Sequence, residues 1–246
     1  MSTLLLRLAG PLQSWGYRSR FSDRDTGLEP SKSGVVGLLC CALGRPRSES
    51  PVDLAALRVH VRVDRQGTLL KDFHTAGGGL FRRSREYFAP TSSGAKGKNP
   101  EVTERHYLQD ASFLIALEGA DSLLSRLAQA LQDPKWPLSL GRRSCPPSEP
   151  VLVGKINQDG KSALCGHPLQ LHRRHLPSRW DEREGRYVPD LSPQRLRLLL
   201  ECPSGDTAGD MRRDVPLRWP DQLTREYTVR FVREDRTQPI IPTVTQ

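Results

Sequence analysis

Several patterns that commonly declare a chemistry are missing from this chain. It has five cysteines, an odd number, and no Cys-x-x-Cys pair. Cys40 and Cys41 are adjacent on one helical stretch and badly placed to bond each other. A disulfide framework is thereby excluded, and the usage is that of a reducing cytosol, so a cytoplasmic location is expected. No apolar run reaches the roughly 18–20 residues of a bilayer crossing, so no membrane partner is expected. The start, Met-Ser-Thr-Leu-Leu-Leu-Arg, lacks the basic region and cleavage site of a signal peptide. Aromatics are only 6% of residues, too few for a surface built mainly on base stacking.

Catalytic and phosphate-binding signatures are missing as well. There is no Gly-x4-Gly-Lys-Ser/Thr loop, no Gly-x-Ser-x-Gly elbow, no Ser-His-Asp pattern and no paired-carboxylate motif. Cys165, His167, His172 and His175 match no standard zinc spacing, and Arg173 and Arg174 put like charge among them. No metal and no other cofactor is therefore expected.

Positive charge is what the chain has in excess. Its 246 residues hold 37 Lys and Arg against 28 Asp and Glu, a net charge of +9. Such an excess points to a polyanionic partner, most often nucleic acid. Between Lys135 and Arg186 ten cations face five acids, so a net +5 of that excess lies in one stretch. Within it, Leu138-Ser-Leu-Gly-Arg-Arg-Ser-Cys-Pro-Pro147 is a glycine turn. Gly141, Arg142, Arg143 and Ser144 combine backbone amides, guanidiniums and a hydroxyl, the makings of a phosphate clamp.

The organising stretch is Pro30 to Gly44. Pro30 blocks any earlier helix, Ser31 or Ser33 can cap the first turn, and Gly44 ends it. Val35 to Leu43 is apolar or small all round, so the helix is buried on more than one face. Gly34 and Gly37 suit a close approach by another backbone. Ser31, Lys32, Ser33 and the free amides of the first turn would form an anion site.

Around that helix, Thr3–Ala9 reads as a central strand stopped by Gly10-Pro11. Leu57–Val63 alternates as a half-buried strand, and Thr68–Phe73 pairs back as a hairpin. Residues 75–105 form an excursion, basic at Arg82, Arg83 and Arg85, with Phe81, Tyr87 and Phe88 interleaved. A connection of that length inside a compact domain is functional or disordered. Arg105 to Leu117 returns to the sheet, and Asp121–Leu131 has helical spacing. The order β-α-β-β-α predicts an α+β fold with a ferredoxin-like or RNA-recognition-motif-type core over 1–155. Leu196–Glu201 and Tyr227–Val232 predict a β-rich C-terminal extension over 156–246, packed on the core. Asp206–Asp214 reads as a polar loop and Gln238–Gln246 as a loose tail. Asp72, His74, His106 and Tyr107 could serve metal-independent RNA cleavage, or be plain structural residues.

Leu6-Arg-Leu-Ala-Gly-Pro-Leu-Gln-Ser-Trp-Gly16 and Pro30-Ser-Lys-Ser-Gly-Val-Val-Gly-Leu-Leu39 together resemble the CasD family of type I-E CRISPR Cascade subunits. So do Asp72-Phe-His-Thr75, Arg105-His-Tyr-Leu-Gln-Asp-Ala-Ser-Phe113 and Leu140-Gly-Arg-Arg-Ser-Cys-Pro146. Beyond about residue 155 the likeness thins to length and Arg225-Glu-Tyr227. The resemblance implies a non-catalytic RNA-binding subunit with a protruding β-hairpin thumb, matched here by the 75–105 insertion. It implies that the subunit holds the 5′ handle of the CRISPR guide RNA, caps the CasC backbone and anchors the large subunit CasA. Target DNA would be met only through the assembled complex. On this reading RNA is gripped by Gln13, Ser14, Trp15, Gly16, Ser31, Lys32, Ser33, His74, Arg82, Arg83, Arg105, Gly141, Arg142, Arg143 and Ser144. The alternative is an endoribonuclease that processes precursor CRISPR RNA, as relatives in another subtype do.

Overall fold

Seven residues of β1 (Thr3–Ala9) are all buried, as a continuous apolar run predicts for a strand covered on both faces. The computed structural model describes residues 2–16, 22–76, 100–172, 175–219 and 226–245. Arg82, Arg83, Arg85 and most of the 75–105 insertion lie outside the described residues, as do Arg173, Arg174 and Arg225.

After β1 come β2 (Leu12–Gln13), β3 (Asp23–Arg24), α1 (Lys32–Leu43), α2 (Val52–Ala55) and β4 (Arg58–Arg65). Then follow β5 (Thr68–Ala76), β6 (Glu101–Gln109), β7 (Ser112–Glu118), α3 (Asp121–Gln132), β8 (Leu152–Ile156) and α4 (Gly160–Gly166). The C-terminal part adds β9 (Leu169–His172), β10 (Ser178–Asp181), β11 (Arg186–Pro189) and β12 (Arg197–Glu201). It ends with β13 (Asp210–Arg218), β14 (Glu226–Arg236) and β15 (Pro242–Thr245).

One sheet runs β13-β14-β12-β4-β7-β1-β8, every neighbouring pair antiparallel. Within it the path β1-α1-β4-β7-α3-β8 sets its strands in the spatial order β8-β1-β7-β4. The C-terminal strands join the same sheet along β4. Leu4, Leu6, Leu8, Val59, Val61, Phe113 and Ile115 face α1 and α3. Leu5, Leu114 and Ala116 face α4, through Ala163 and Leu164.

Three expectations need correction. Leu57–Val63 is not half-buried: His60 and Arg62, two of the three polar positions of the alternation, are enclosed too, as is Asp64 just beyond it. The reason is α4, whose last carbonyls meet Arg62: its Nη1 donates to Leu164 O at 2.5 Å and His167 O at 2.6 Å, and Asp64 pairs with it at 2.6 Å. A guanidinium there also complements the negative helix end. Second, β6 does not belong to the main sheet. It pairs with β5 from Thr68↔Gln109 to Ala76↔Glu101, so the base of the 75–105 insertion is the end of a nine-residue ladder. Asp110, at φ 55, turns the chain from β6 into β7. Third, the C-terminal stretch is ordered: β15 pairs in parallel with β9, and polar Asp210–Asp214 opens strand β13.

Candidate nucleic-acid interface

Two turns far apart in sequence are zipped together beside the β5–β6 hairpin. Ser14 N donates to Leu140 O at 3.0 Å, and Ser148 N to Ala9 O at 2.9 Å. Gly141 lies at φ +89, and a Cβ there would stand 1.7 Å from Ser14 O, so both backbone conformation and space require glycine. Arg142 fastens a third element. Its Nη1 donates to His106 O at 3.0 Å, its Nη2 to Arg24 O at 2.7 Å and Asp25 O at 3.1 Å, and its guanidinium lies 4.7 Å over the Tyr107 ring. No carboxylate of the described residues takes part, so none of them neutralises the charge.

The sequence-predicted residues divide sharply on this frame. Arg143, Ser144, Gly141 and Gly16 are exposed at the turns. Arg143 makes no hydrogen bond or ion pair with any described residue. Arg105 is half-buried on β6, its Nε donating to Thr103 Oγ1 at 3.1 Å. His74 is exposed on β5, 3.9 Å from Asp72. Gln13 and Trp15 are corrected to interior supports: Gln13 Nε2 donates to Leu8 O and Ala111 O, and Trp15 Nε1 donates to Gln13 Oε1. Ser14 is buried as well, its hydroxyl donating to His106 O at 3.3 Å. A Cβ at Gly34 would lie 2.7 Å from the Trp15 ring, so an aromatic ring, not a backbone, explains that helix glycine.

The anion site expected at the start of α1 is also corrected. Ser31 caps the helix by accepting from Gly34 N at 3.2 Å, with Ser33 Oγ 3.3 Å from its hydroxyl. The protein's own Asp214 fills the place of a phosphate, accepting from Lys32 N at 2.7 Å. The Lys32 side chain is buried and bonds Glu201 at 2.5 Å. Arg230 completes the group: its Nε and Nη2 reach Asp214 at 2.7 and 2.9 Å, and Nη1 reaches Glu201 at 2.9 Å. Burial lowers the Lys32 pKa, with Glu201 opposing it. For Asp214 burial pushes upward, but the Arg230 charge and hydrogen bonds outweigh it and leave the carboxyl below its ordinary value. Two cations and two anions balance, so this group offers RNA no charge.

The residues weighed for cleavage do not converge. Directly paired residues share a face of an antiparallel ladder and successive residues alternate. His74 pairs with Thr103 and His106 with Lys71, an odd offset that puts the two imidazoles on opposite faces of the hairpin. Tyr107 is buried beneath Arg142. Among the described residues, no three His, Cys, Asp or Glu side chains group to hold a metal ion. No described helix is long and apolar enough to cross a membrane.

A family profile described as "CRISPR-associated protein (Cas_Cas5)" matches residues 3–233. The chain belongs to this family. The CRISPR system Cascade subunit CasD of Escherichia coli (strain K12) is 37% identical over 182 residues, 68% of this chain and 77% of that protein. A solved structure titled "CRISPR RNA-guided surveillance complex" contains a chain with TM-score 0.78 and 34% identity, covering 97% of this chain and 91% of that one. A second, "Crystal structure of Cas protein", gives 0.68 and 38%, over 98% and 97%. The family read from the motifs of the first half is therefore right.

Some features of this Cas5-family chain escaped the sequence. Arg142 and Arg143 read as one clamp, whereas Arg142 is a staple and Arg143 makes no hydrogen bond or ion pair with a described residue. The signal that separates them, three backbone carbonyls from distant segments, exists only after folding. Asp214 and Arg230 have no local mark at all, each lying in a stretch of mixed charge.

Proposed function

We propose that the chain is a non-catalytic subunit of a CRISPR surveillance complex, holding the 5′ handle of the guide RNA and capping the CasC backbone beside CasA. The observation that carries this reading is Arg143. It is exposed, it makes no hydrogen bond or ion pair with any described residue, and it sits on a turn fixed by Gly141 and by Arg142, which is bonded to His106 of the hairpin. A charge held outward on a rigid turn loses little entropy on meeting a phosphate. Arg142 acts through its neighbour, keeping the turn aimed.

The strand order β8-β1-β7-β4 supports a ferredoxin-like core, with β5–β6 as the stem of the thumb. The separation of His74 from His106 argues against their joint action in cleavage.

Binding of handle RNA by the complex, titrated from low to moderate salt, tests the assignment. Arg143→Ala should weaken binding and make the plot of log affinity against log salt shallower by about 0.7, one counterion on a single strand. An unchanged affinity and slope would show that Arg143 meets no phosphate.

A further inference from the structure

The C-terminal end of α1 gathers positive charge that no described acid answers. A Cβ at Gly44, which closes the helix, would stand 2.9 Å from the Lys135 side chain, so the 134–137 stretch packs directly on the helix end. Backbone amides already take up the last carbonyls. Arg45 N donates to Cys40 O at 2.9 Å, Lys135 N to Ala42 O at 3.0 Å and Trp136 N to Cys41 O at 3.2 Å. These carbonyls therefore need no cationic side chain to satisfy them. Yet Arg47, Lys135 and Arg143 are all exposed around them. None of the three side chains makes a hydrogen bond or ion pair with any described residue. Arg143 and Arg47 both act on the Cys41 thiol, and the Cys41 carbonyl holds Trp136, so the Arg143 turn and the Trp136 stretch meet at one residue. Neighbouring Arg45 marks the contrast: Asp53 closes it at 2.6 Å through both Nη atoms. Glu49 and Asp133, acids of the same loops, pair with none of the three.

Trp136 supplies what the charges lack. Pro134 and Pro137 restrict the backbone on either side of it, and its own N–H is tied to the helix. Its ring is nevertheless 43% exposed and joins none of the apolar clusters of the described core. Trp15, by contrast, is buried, and Trp180 rests edge-on against Tyr187. An indole on a fixed backbone, set among three cations that no described carboxylate pairs, matches unpaired nucleotides. Their bases stack on aromatic rings while their phosphates meet the cations. An acidic peptide would match the charges but gives the lone flat ring nothing to stack on.

We propose that Arg47, Lys135 and Trp136, at the C-terminal end of α1, form a further contact site for single-stranded RNA, carrying the guide-RNA path from the Arg143 turn across the helix end. The inference rests on the RNA-binding reading above and adds a base-stacking residue to it.

Handle-RNA binding by the complex, titrated in salt, tests it. Arg47→Gln/Lys135→Gln should make the plot of log affinity against log salt shallower by about 1.4, two counterions on a single strand. Trp136→Ala should weaken binding at least about fivefold with the slope unchanged, and Trp136→Phe should restore most of the loss. Handle RNAs made abasic one position at a time give a readout that a merely structural role of Trp136 would not move. One abasic position should weaken binding to the wild type yet change nothing further in Trp136→Ala. Wild-type complexes carrying 5-iodouridine at successive handle positions should crosslink to the 134–137 peptide, which decides the matter if a variant does not fold. Unchanged affinity and slope, abasic losses that add fully to the Trp136→Ala loss, or no 134–137 adduct overturns the proposal. So do variants that bind RNA normally but leave the complex, because the occupant is then an acidic protein face. Binding disturbed by Arg143→Ala and by none of these variants strikes this inference alone. A wild type that binds no handle RNA strikes both it and the reading on which it rests.

Discussion

Replacing Arg230 with methionine removes three charged hydrogen bonds from the interior and leaves Asp214 and Glu201 with only Lys32 between them. Arg230, Asp214, Glu201 and Lys32 are all buried, so water cannot compensate. Breaking a buried ion pair from one side costs about 3–5 kcal/mol, because the remaining charge is stranded. In a chain of this size that lowers the thermal midpoint by about 6–20 °C. An exposed pair such as Arg186–Glu184, at 2.7 Å, provides the contrast. Glu184→Gln should cost less than about 1 kcal/mol. The sharper check is the cycle of Arg230→Met, Asp214→Asn and the double variant, measured by urea unfolding. Removing Asp214 with Arg230 restores the balance of one cation and one anion, Lys32 and Glu201. The double variant should therefore lose about 2 kcal/mol less than the two single losses added together. A single variant that loses under 1 kcal/mol, or strictly additive losses, would refute the idea that these four groups act as one unit.

Three further outcomes follow from the geometry. Glu118 is held at about 2, below its ordinary 4.5, chiefly by the His60 imidazole and also by Gly160 N–H and Arg58, against the pull of burial. Its contribution is complete above pH 4.5 and fades as pH falls toward 2. Glu118→Gln should accordingly cost on the order of 3 kcal/mol at neutral pH and progressively less in acid, read from urea midpoints across pH. Gly141→Ala forces a left-handed residue and a Cβ into Ser14 O, so stability should fall by more than about 2 kcal/mol with RNA binding lost alongside, seen by calorimetry and titration. Arg142→Lys keeps the charge but loses the planar fork, and should lower the thermal midpoint where Arg143→Lys leaves it unchanged.

The first half of the chain was legible because its signals are local. Ser31 caps α1, Gly44 closes it at φ 70, and Thr3–Ala9 forms a central strand. What stayed hidden depends on partners far away in sequence. Lys32 reads as an outward cation at a helix start, but its partner Glu201 lies 169 residues on. Arg62 occupies a polar slot in a regular alternation, and only α4 reveals that this slot is inside. The break between β6 and β7 carries no glycine or proline, because Asp110 adopts the left-handed conformation itself. At the candidate interface the residue types were readable, but not the division of labour between neighbouring arginines.

Photo-crosslinking of guide RNA in the assembled complex, with the attached peptides identified by mass spectrometry, tests the central claim most directly. The account predicts adducts between 5′-handle nucleotides and the 141–144 turn or the β5–β6 hairpin, on RNA whose 5′ end stays intact in the presence of this chain alone. Handle adducts confined to other surfaces, or precursor RNA cut by the isolated chain in EDTA, would contradict it.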